Sequence, residues 1–440
     1  MFTYTHTLTK FNFSKHEINV LNQYVDFYLI SLIDGLRQTA FGLNTLIKTA
    51  NNIENLRKKF LKNTKNKKWF IDSGGYSIIV GDVSPRDMSK FIECYTYYLD
   101  NYASDNCDYI LSLDIPILLK YPDYNNVKYI KKQNYLSCEK SKEILDNKKE
   151  LYDKFVFVWQ FKTPKQYKIW CDCYNNIYGI DNDLKNFAIG GQVGLRGLTG
   201  INFSPFIATS FQITDIIYNK NLEFESILHL LGIYGIHDRI LMGFLDRLFN
   251  NHYLKDRKSS IKITFDTVHH TIAGLFKIRE LKSIIIKENQ ILYDYSHKLI
   301  NEFHLLIENE FANKEIVKNL NNIVNNEKIG DTSLLCTLEV IKHQMFDVII
   351  DSCIDKYKIV DLFIESNNYN KFKNLFIPIF VKLESQFPYI FKNRLNQVLL
   401  NFQYCYAFHD WWLKGRDPKT FNNLMNKFIQ LIKFPADLSN

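Results

Sequence analysis

Three short apolar runs in this chain each lead into a carboxylate. "WFIDSGGYSIIVGD" (Trp69–Asp82) carries Asp72, "DYILSLDIP" (Asp108–Pro116) carries Asp114, and "SIKITFDTV" (Ser260–Val268) carries Asp266. Three more lead into an amide, a bare backbone or an imidazole. "KFVFVWQF" (Lys154–Phe161) offers Gln160, "NFAIGGQVG" (Asn186–Gly194) offers Gly190 and Gly191, and "ILHLLGIYG" (Ile227–Gly235) offers His229 and Gly232. Paired carboxylates beside a cradle for a planar polar ligand suit displacement at a sugar C1′. The transition state is oxocarbenium-like, so one carboxylate can attack and hold a covalent glycosyl intermediate while the other moves protons. A further acid, an amide and free backbone N–H groups can read a purine-like edge, and a tyrosine ring can stack on its face. "DSGG" also occurs around serine-protease nucleophiles. That chemistry needs a histidine and an aspartate in recognisable settings upstream, and neither is present.

For these groups to meet, the runs must be neighbouring strands. The runs above and "VDFYLISLIDG" (Val25–Gly35) lack polar alternation, as do strands buried on both faces of a parallel sheet. They recur at roughly 30 to 45 residues with helical-length segments between them. Seven or eight such units predict an α/β fold, a (β/α)8 TIM barrel, with a doubly wound open sheet as the structural alternative. In a barrel the polar strand ends converge at the C-terminal mouth. After about Ala273 the apolar spacing becomes three or four. The chain therefore divides into a barrel over residues 1–275 and a helical C-terminal region over 276–440, a candidate nucleic-acid-binding part.

Hydrophobic residues make up 46% and charged residues 23% of the 440, which suits a folded soluble protein. Abundant Asn, Lys and Ile, with 34 Phe and 27 Tyr, point to an AT-rich coding genome rather than to a function. A net charge of +8 permits a polyanionic partner. The first residues contain no apolar leader, and no run approaches a membrane span, so the expectation is a cytoplasmic protein with reduced thiols. The closest cysteines, Cys171 and Cys173, have no second pair near them. A zinc site needs about four ligands, so they read as ordinary thiols.

The order "DSGGY", "LDIP", "VWQ", "AIGG", "HLLGIYG", "FDTV" resembles the tRNA-guanine transglycosylase superfamily, barrel enzymes that exchange guanine for a 7-deazaguanine. The likeness spans roughly Val25 to Thr271. It implies that Asp266 is the nucleophile forming a glycosyl-aspartate and Asp72 the general acid/base. It implies that Tyr76 stacks on the base, while Asp114 and Gln160 read its amidine and carbonyl edges. Gly190 and Gly191 would line the base site, Gly191 through its backbone N–H, and Gln192 would offer its carbonyl near the 7-substituent.

Two departures narrow the expectation. Ser77 stands where the family has Gln, so one base contact is lost or replaced. The Cys-x-Cys-x-x-Cys zinc motif of the tRNA-acting members is missing: Cys336, Cys353 and Cys405 are too dispersed. No cofactor is expected, and the zinc of the tRNA-acting relatives is expected to be absent. The resemblance therefore favours the 7-deazaguanine DNA transglycosylases of phages and bacterial modification islands. DNA and a base such as 7-cyano-7-deazaguanine would be the partners, no membrane is expected, and a phage-encoded protein would work in the host cytoplasm. A tRNA-directed enzyme and a catalytically silent nucleic-acid-binding subunit are the alternatives. Lys128, Lys131 and Lys132 follow Asp114 on the catalytic side and are candidate phosphate contacts. The run "LRKKFLKNTKNKK" (Leu56–Lys68) leads into the opposite end of its strand and reads as a solvated helix end. "WWLKGRDPK" (Trp411–Lys419) reads as a helix terminus with core tryptophans. His269 and His270, flanking the Asp266 strand, are lesser candidates for a substrate role.

Overall fold

A computed structural model describes residues 3–8, 18–32, 42–62, 66–116, 127–179, 182–191, 204–220, 223–267 and 346–429, apart from positions 20, 23–24, 76–77, 79–82, 161–163 and 234. Eight parallel strands close into a barrel: β1 (Thr3–Leu8), β2 (Phe27–Ser31), β3 (Lys68–Asp72), β4 (Tyr109–Leu111), β5 (Phe155–Gln160), β6 (Asn186–Gly190), β7 (Glu225–Leu230) and β8 (Ser260–Thr267). Each pairs with its neighbour in sequence, and β8 returns to β1 with Asp266 opposite Thr5. Long helices cover the outside: α1 (Leu43–Leu61), α2 (Met88–Asn101), α3 (Val127–Asn147), α4 (Pro164–Asp172), α5 (Ser204–Lys220) and α6 (Ile236–Leu248). The (β/α)8 barrel expected from the apolar runs is what the chain forms.

Seven strands coincide with those runs. The eighth, β1, is "TYTHTL", whose alternating threonines look like a half-exposed segment. Thr5 and Thr7 are nevertheless buried, because threonine is β-branched and suits a strand, and the Thr7 hydroxyl finds an acceptor inside the barrel.

Strand alternation divides the side chains into two sets. Trp69, Ile71, Phe157, Trp159, Phe187, Ile189, Ile263 and Phe265 point outward into the layer shared with the helices. Phe27, Leu29, Phe70, Leu111, Val156, Val158, Ala188 and Ile227 fill the interior. One step further along the same inward rows, at the C-terminal ends, the interior turns polar: Ser31, Asp72, Gln160 and Asp266. The apolar plug below gives those groups a dry floor.

The C-terminal helices pack on the barrel. They are α7 (Ile359–Glu365), α8 (Tyr369–Gln386), α9 (Leu395–Leu413) and α10 (Pro418–Ile429), preceded by helical residues 346–356. α9 runs parallel to α6: Phe244 meets Phe402 edge-on at 4.7 Å, and further along Tyr253 stacks on Trp412 at 4.2 Å and bonds His409. Fully buried Arg239 of α6 holds Asp347 at 2.9 Å. Barrel and helices therefore share one apolar core. The "WWLKGRDPK" segment is part of that packing, since Trp411 is buried and Arg416 lies over Tyr218 and pairs with Asp215.

Lys58 and Lys59 sit in the last turn of α1, at the N-terminal end of β3. Lys67 and Lys68 pair with Asp26 and Asp108 at 2.8 and 3.4 Å, at the starts of β2 and β4. The Leu56–Lys68 run thus lies at the face opposite the carboxylate strand ends. Among the described residues no helix is long and apolar enough to cross a membrane.

Candidate active site

Asp266, at the C-terminal end of β8, is nearly buried. Its Oδ1 accepts the Gly232 backbone N–H at 3.0 Å and its Oδ2 accepts the Thr7 hydroxyl at 3.2 Å. Gly232 has φ 70, in the left-handed region that favours glycine, and this turn after β7 aims its N–H across to β8. Beneath the carboxylate lies His229, with no solvent exposure. Its ring stacks on Phe70, its Nδ1 meets Thr264 Oγ1 at 2.9 Å, and its Nε2 lies 3.5 Å from Asp266 Oδ1. Two donors and one imidazole therefore fix the orientation of this acid.

Asp114 follows β4 on the far side of the barrel. It accepts a hydrogen bond from Gln160 Nε2 and one from the Ser73 hydroxyl at 3.4 Å. Its backbone is held from outside: the Asn134 side chain on α3 bonds both the N–H and the C=O of Ile115, at 2.8 and 3.0 Å. Gly75 is a close-approach glycine, because a Cβ there would come 2.9 Å from Asp114 Oδ1. Burial pushes the Asp114 carboxyl up to about 7; the Gln160 amide opposes this, and the nearby negative charge of Asp72 adds to it. Asp72 closes β3 opposite Ser31 of β2. Gln160 lies opposite Gly190 of β6, and its Oε1 is buried without a hydrogen-bond partner among the described residues. Gly191, just past β6, has φ 79.

The barrel thus brings Asp72, Asp114, Gln160, Gly190, Gly191 and Asp266 to one mouth. Tyr76, Gln192, His269 and His270 lie outside the described residues. Lys128, Lys131 and Lys132 lie on α3, which begins at that mouth. All three are exposed, and Lys131 pairs with Asp172 at 3.1 Å. Thr7 and Asn134 were not foreseen as site residues. Thr7 was hidden by the unrecognised β1, and Asn134 sits mid-helix in "KKQNYLS" without a local signal. Cys173 is buried and Cys171 half-buried, and no cluster of three or more possible metal ligands occurs among the described residues.

An acid with two fixed donors can act as an oriented carboxylate. A second, with a neighbouring amide, offers acceptors to a ligand edge bearing N–H donors. The sequence was compared with protein-family models and with curated proteins, and nothing matches. The site must therefore be read from its own chemistry on a (β/α)8 barrel.

The Asp114 pKa has two measurable consequences. Ionised Asp114 can accept N–H donors with both oxygens, whereas protonation turns one oxygen into a donor, so affinity for a ligand edge bearing N–H donors is expected to fall as pH drops below about 7. Stability runs the other way. The folded state keeps a proton that the unfolded state loses between about pH 4 and 7, so this group's contribution declines as pH rises through that window. Asp114→Asn should raise the melting temperature at pH 8 but hardly at pH 4, while affinity for a ligand edge bearing N–H donors falls. The displacement from 3.8 to about 7 bounds the gain at about 4 kcal/mol. Titrating the binding of such a ligand by calorimetry and melting the variant at both pH values tests this. A pH-independent affinity would count against Asp114 as its acceptor.

Proposed function

We propose that this protein is a DNA guanine transglycosylase, exchanging guanine in DNA for a 7-deazaguanine base through a covalent glycosyl-aspartate. The observation that carries the reading is the pairing of two unlike acid sites at one barrel mouth. Asp266 is held by an N–H and a hydroxyl, while Asp114 lies beside the unpartnered buried oxygen of Gln160. Asp266 attacks C1′ as the guanine departs, with Asp72 moving the proton. Asp114 and Gln160 Oε1 accept the N–H groups of the base, which Gly190 and Gly191 approach from β6. The target guanine must leave the stack, at a cost of a few kcal/mol. DNA is favoured over tRNA because the Cys-x-Cys-x-x-Cys motif is missing from the sequence and helices α7, α9 and α10 pack on α5 and α6.

The test is to incubate the protein with radiolabelled guanine, or a labelled 7-deazaguanine such as 7-cyano-7-deazaguanine, together with DNA and tRNA, and count label in each. Label in DNA supports the reading. Label in tRNA alone makes this a tRNA-directed enzyme, and label in neither favours a catalytically silent subunit.

The phosphate track makes a separate expectation. Replacing Lys128, Lys131 and Lys132 by Ala together should weaken DNA binding and flatten the slope of log affinity against log salt by up to about two to three, at about 0.9 per contact on duplex DNA. The same change at Lys58, Lys59 and Lys62 should alter the slope little. A salt dependence carried by the Lys58 set would put the DNA on the other face.

A further inference from the structure

We propose that His229 is a positioning residue for Asp266 that favours release of the covalent intermediate; this rests on the glycosyl-aspartate reading above. His229 is walled in. Phe70 covers its ring at 4.8 Å, Thr264 Oγ1 contacts Nδ1 at 2.9 Å, and Nε2 is a buried atom without a hydrogen-bond partner, 3.5 Å from Asp266 Oδ1. A carboxylate facing Nε2 favours the tautomer with the ring proton on Nε2, in which Nδ1 accepts the Thr264 hydroxyl. A buried N–H needs an acceptor, and Asp266 is the one within reach. At 3.5 Å the pair is just beyond good hydrogen-bond length, so a small shift of the carboxylate completes it.

The consequence follows from the charge on Asp266. In the first half-reaction an Asp266 oxygen forms a bond to C1′, the bond from C1′ to the base nitrogen breaks, and its electron pair leaves with the base, which takes up a proton. In the second half-reaction the incoming base nitrogen attacks C1′, losing its proton, and Asp266 leaves with the bonding pair as a carboxylate. An N–H donor stabilises the carboxylate over the ester, since hydrogen bonds to charged groups are the stronger ones. His229 therefore draws the equilibrium away from the adduct and speeds Asp266 as a leaving group. Gly232 N–H and Thr7 act in the same sense from the other side.

The experiment uses two amide replacements. The His229→Asn amide mimics Nδ1 and keeps the Thr264 contact, and the His229→Gln amide reaches the Nε2 position and can donate to Asp266. Each variant is mixed with guanine-containing DNA, and the fraction of protein caught as a denaturant-resistant DNA adduct is measured, with the rate of its discharge by free base. His229→Asn is expected to raise the adduct-to-free ratio about tenfold or more and slow discharge by a similar factor, and His229→Gln to restore both toward wild type. Equal behaviour of the two variants, or an unchanged adduct ratio in His229→Asn, overturns the positioning role while leaving the transglycosylase reading intact. A wild-type protein forming no adduct with either nucleic acid removes that reading and the release role together. Nitrogen NMR of 15N-histidine-labelled protein serves where a variant does not fold. Asp266→Asn must move the His229 Nε2 resonance, and an unmoved resonance overturns the pairing itself.

Discussion

Asp266→Asn is expected to abolish base exchange, by at least about four orders of magnitude, as removal of a covalent nucleophile does elsewhere. The asparagine would fill the same volume, and its Oδ1 could still accept the Gly232 N–H that Asp266 accepts at 3.0 Å. The fold should therefore survive, and the loss would be chemical. An amide is a very poor nucleophile at C1′, so neither turnover nor a covalent DNA adduct should be seen. Label incorporation and a denaturing gel for the adduct measure the two separately. Near wild-type exchange by this variant would sink the assignment of Asp266.

Asp72→Asn should also stop turnover, by about 10²- to 10⁴-fold, the usual worth of a positioned acid or base. Its signature differs from that of Asp266→Asn: if attack survives while proton transfer fails, a trapped adduct remains. A second readout comes from Asp114. The negative charge of Asp72 helps hold the Asp114 carboxyl near 7, and removing it should lower that value, so base binding persists to more acidic pH. Unchanged turnover together with an unchanged pH profile would exclude Asp72 from both roles.

Much of this site could be read from the chain because Asp72 and Asp114 close short apolar runs and Asp266 closes the alternating run Ser260–Phe265. Burial on both faces makes a parallel strand conspicuous, and the barrel brings such ends together without further information. What stayed hidden depends on partners across the barrel. Thr7 donates to a residue 259 positions away, and its strand is written in threonines rather than in Val or Ile. Asn134 grips the segment of Asp114 from mid-helix, where nothing local marks it. The spacing after Ala273 predicted helices with apolar faces, but periodicity defines a face and not what it lies against. Only the packing of Phe402 on Phe244 and of Asp347 on Arg239 identifies α6 as that surface.

The shared core has a consequence for how the chain is made. β8 ends at Thr267, but the helices that cover α5 and α6 belong to residues 346–429. A ribosome adding 5–20 residues per second needs roughly four to sixteen seconds to cross that gap. Throughout that interval a closed barrel would present Phe211, Phe244 and Tyr253 to solvent, and Arg239 would not yet have met Asp347. Expression at reduced translation speed prolongs that exposure instead of relieving it.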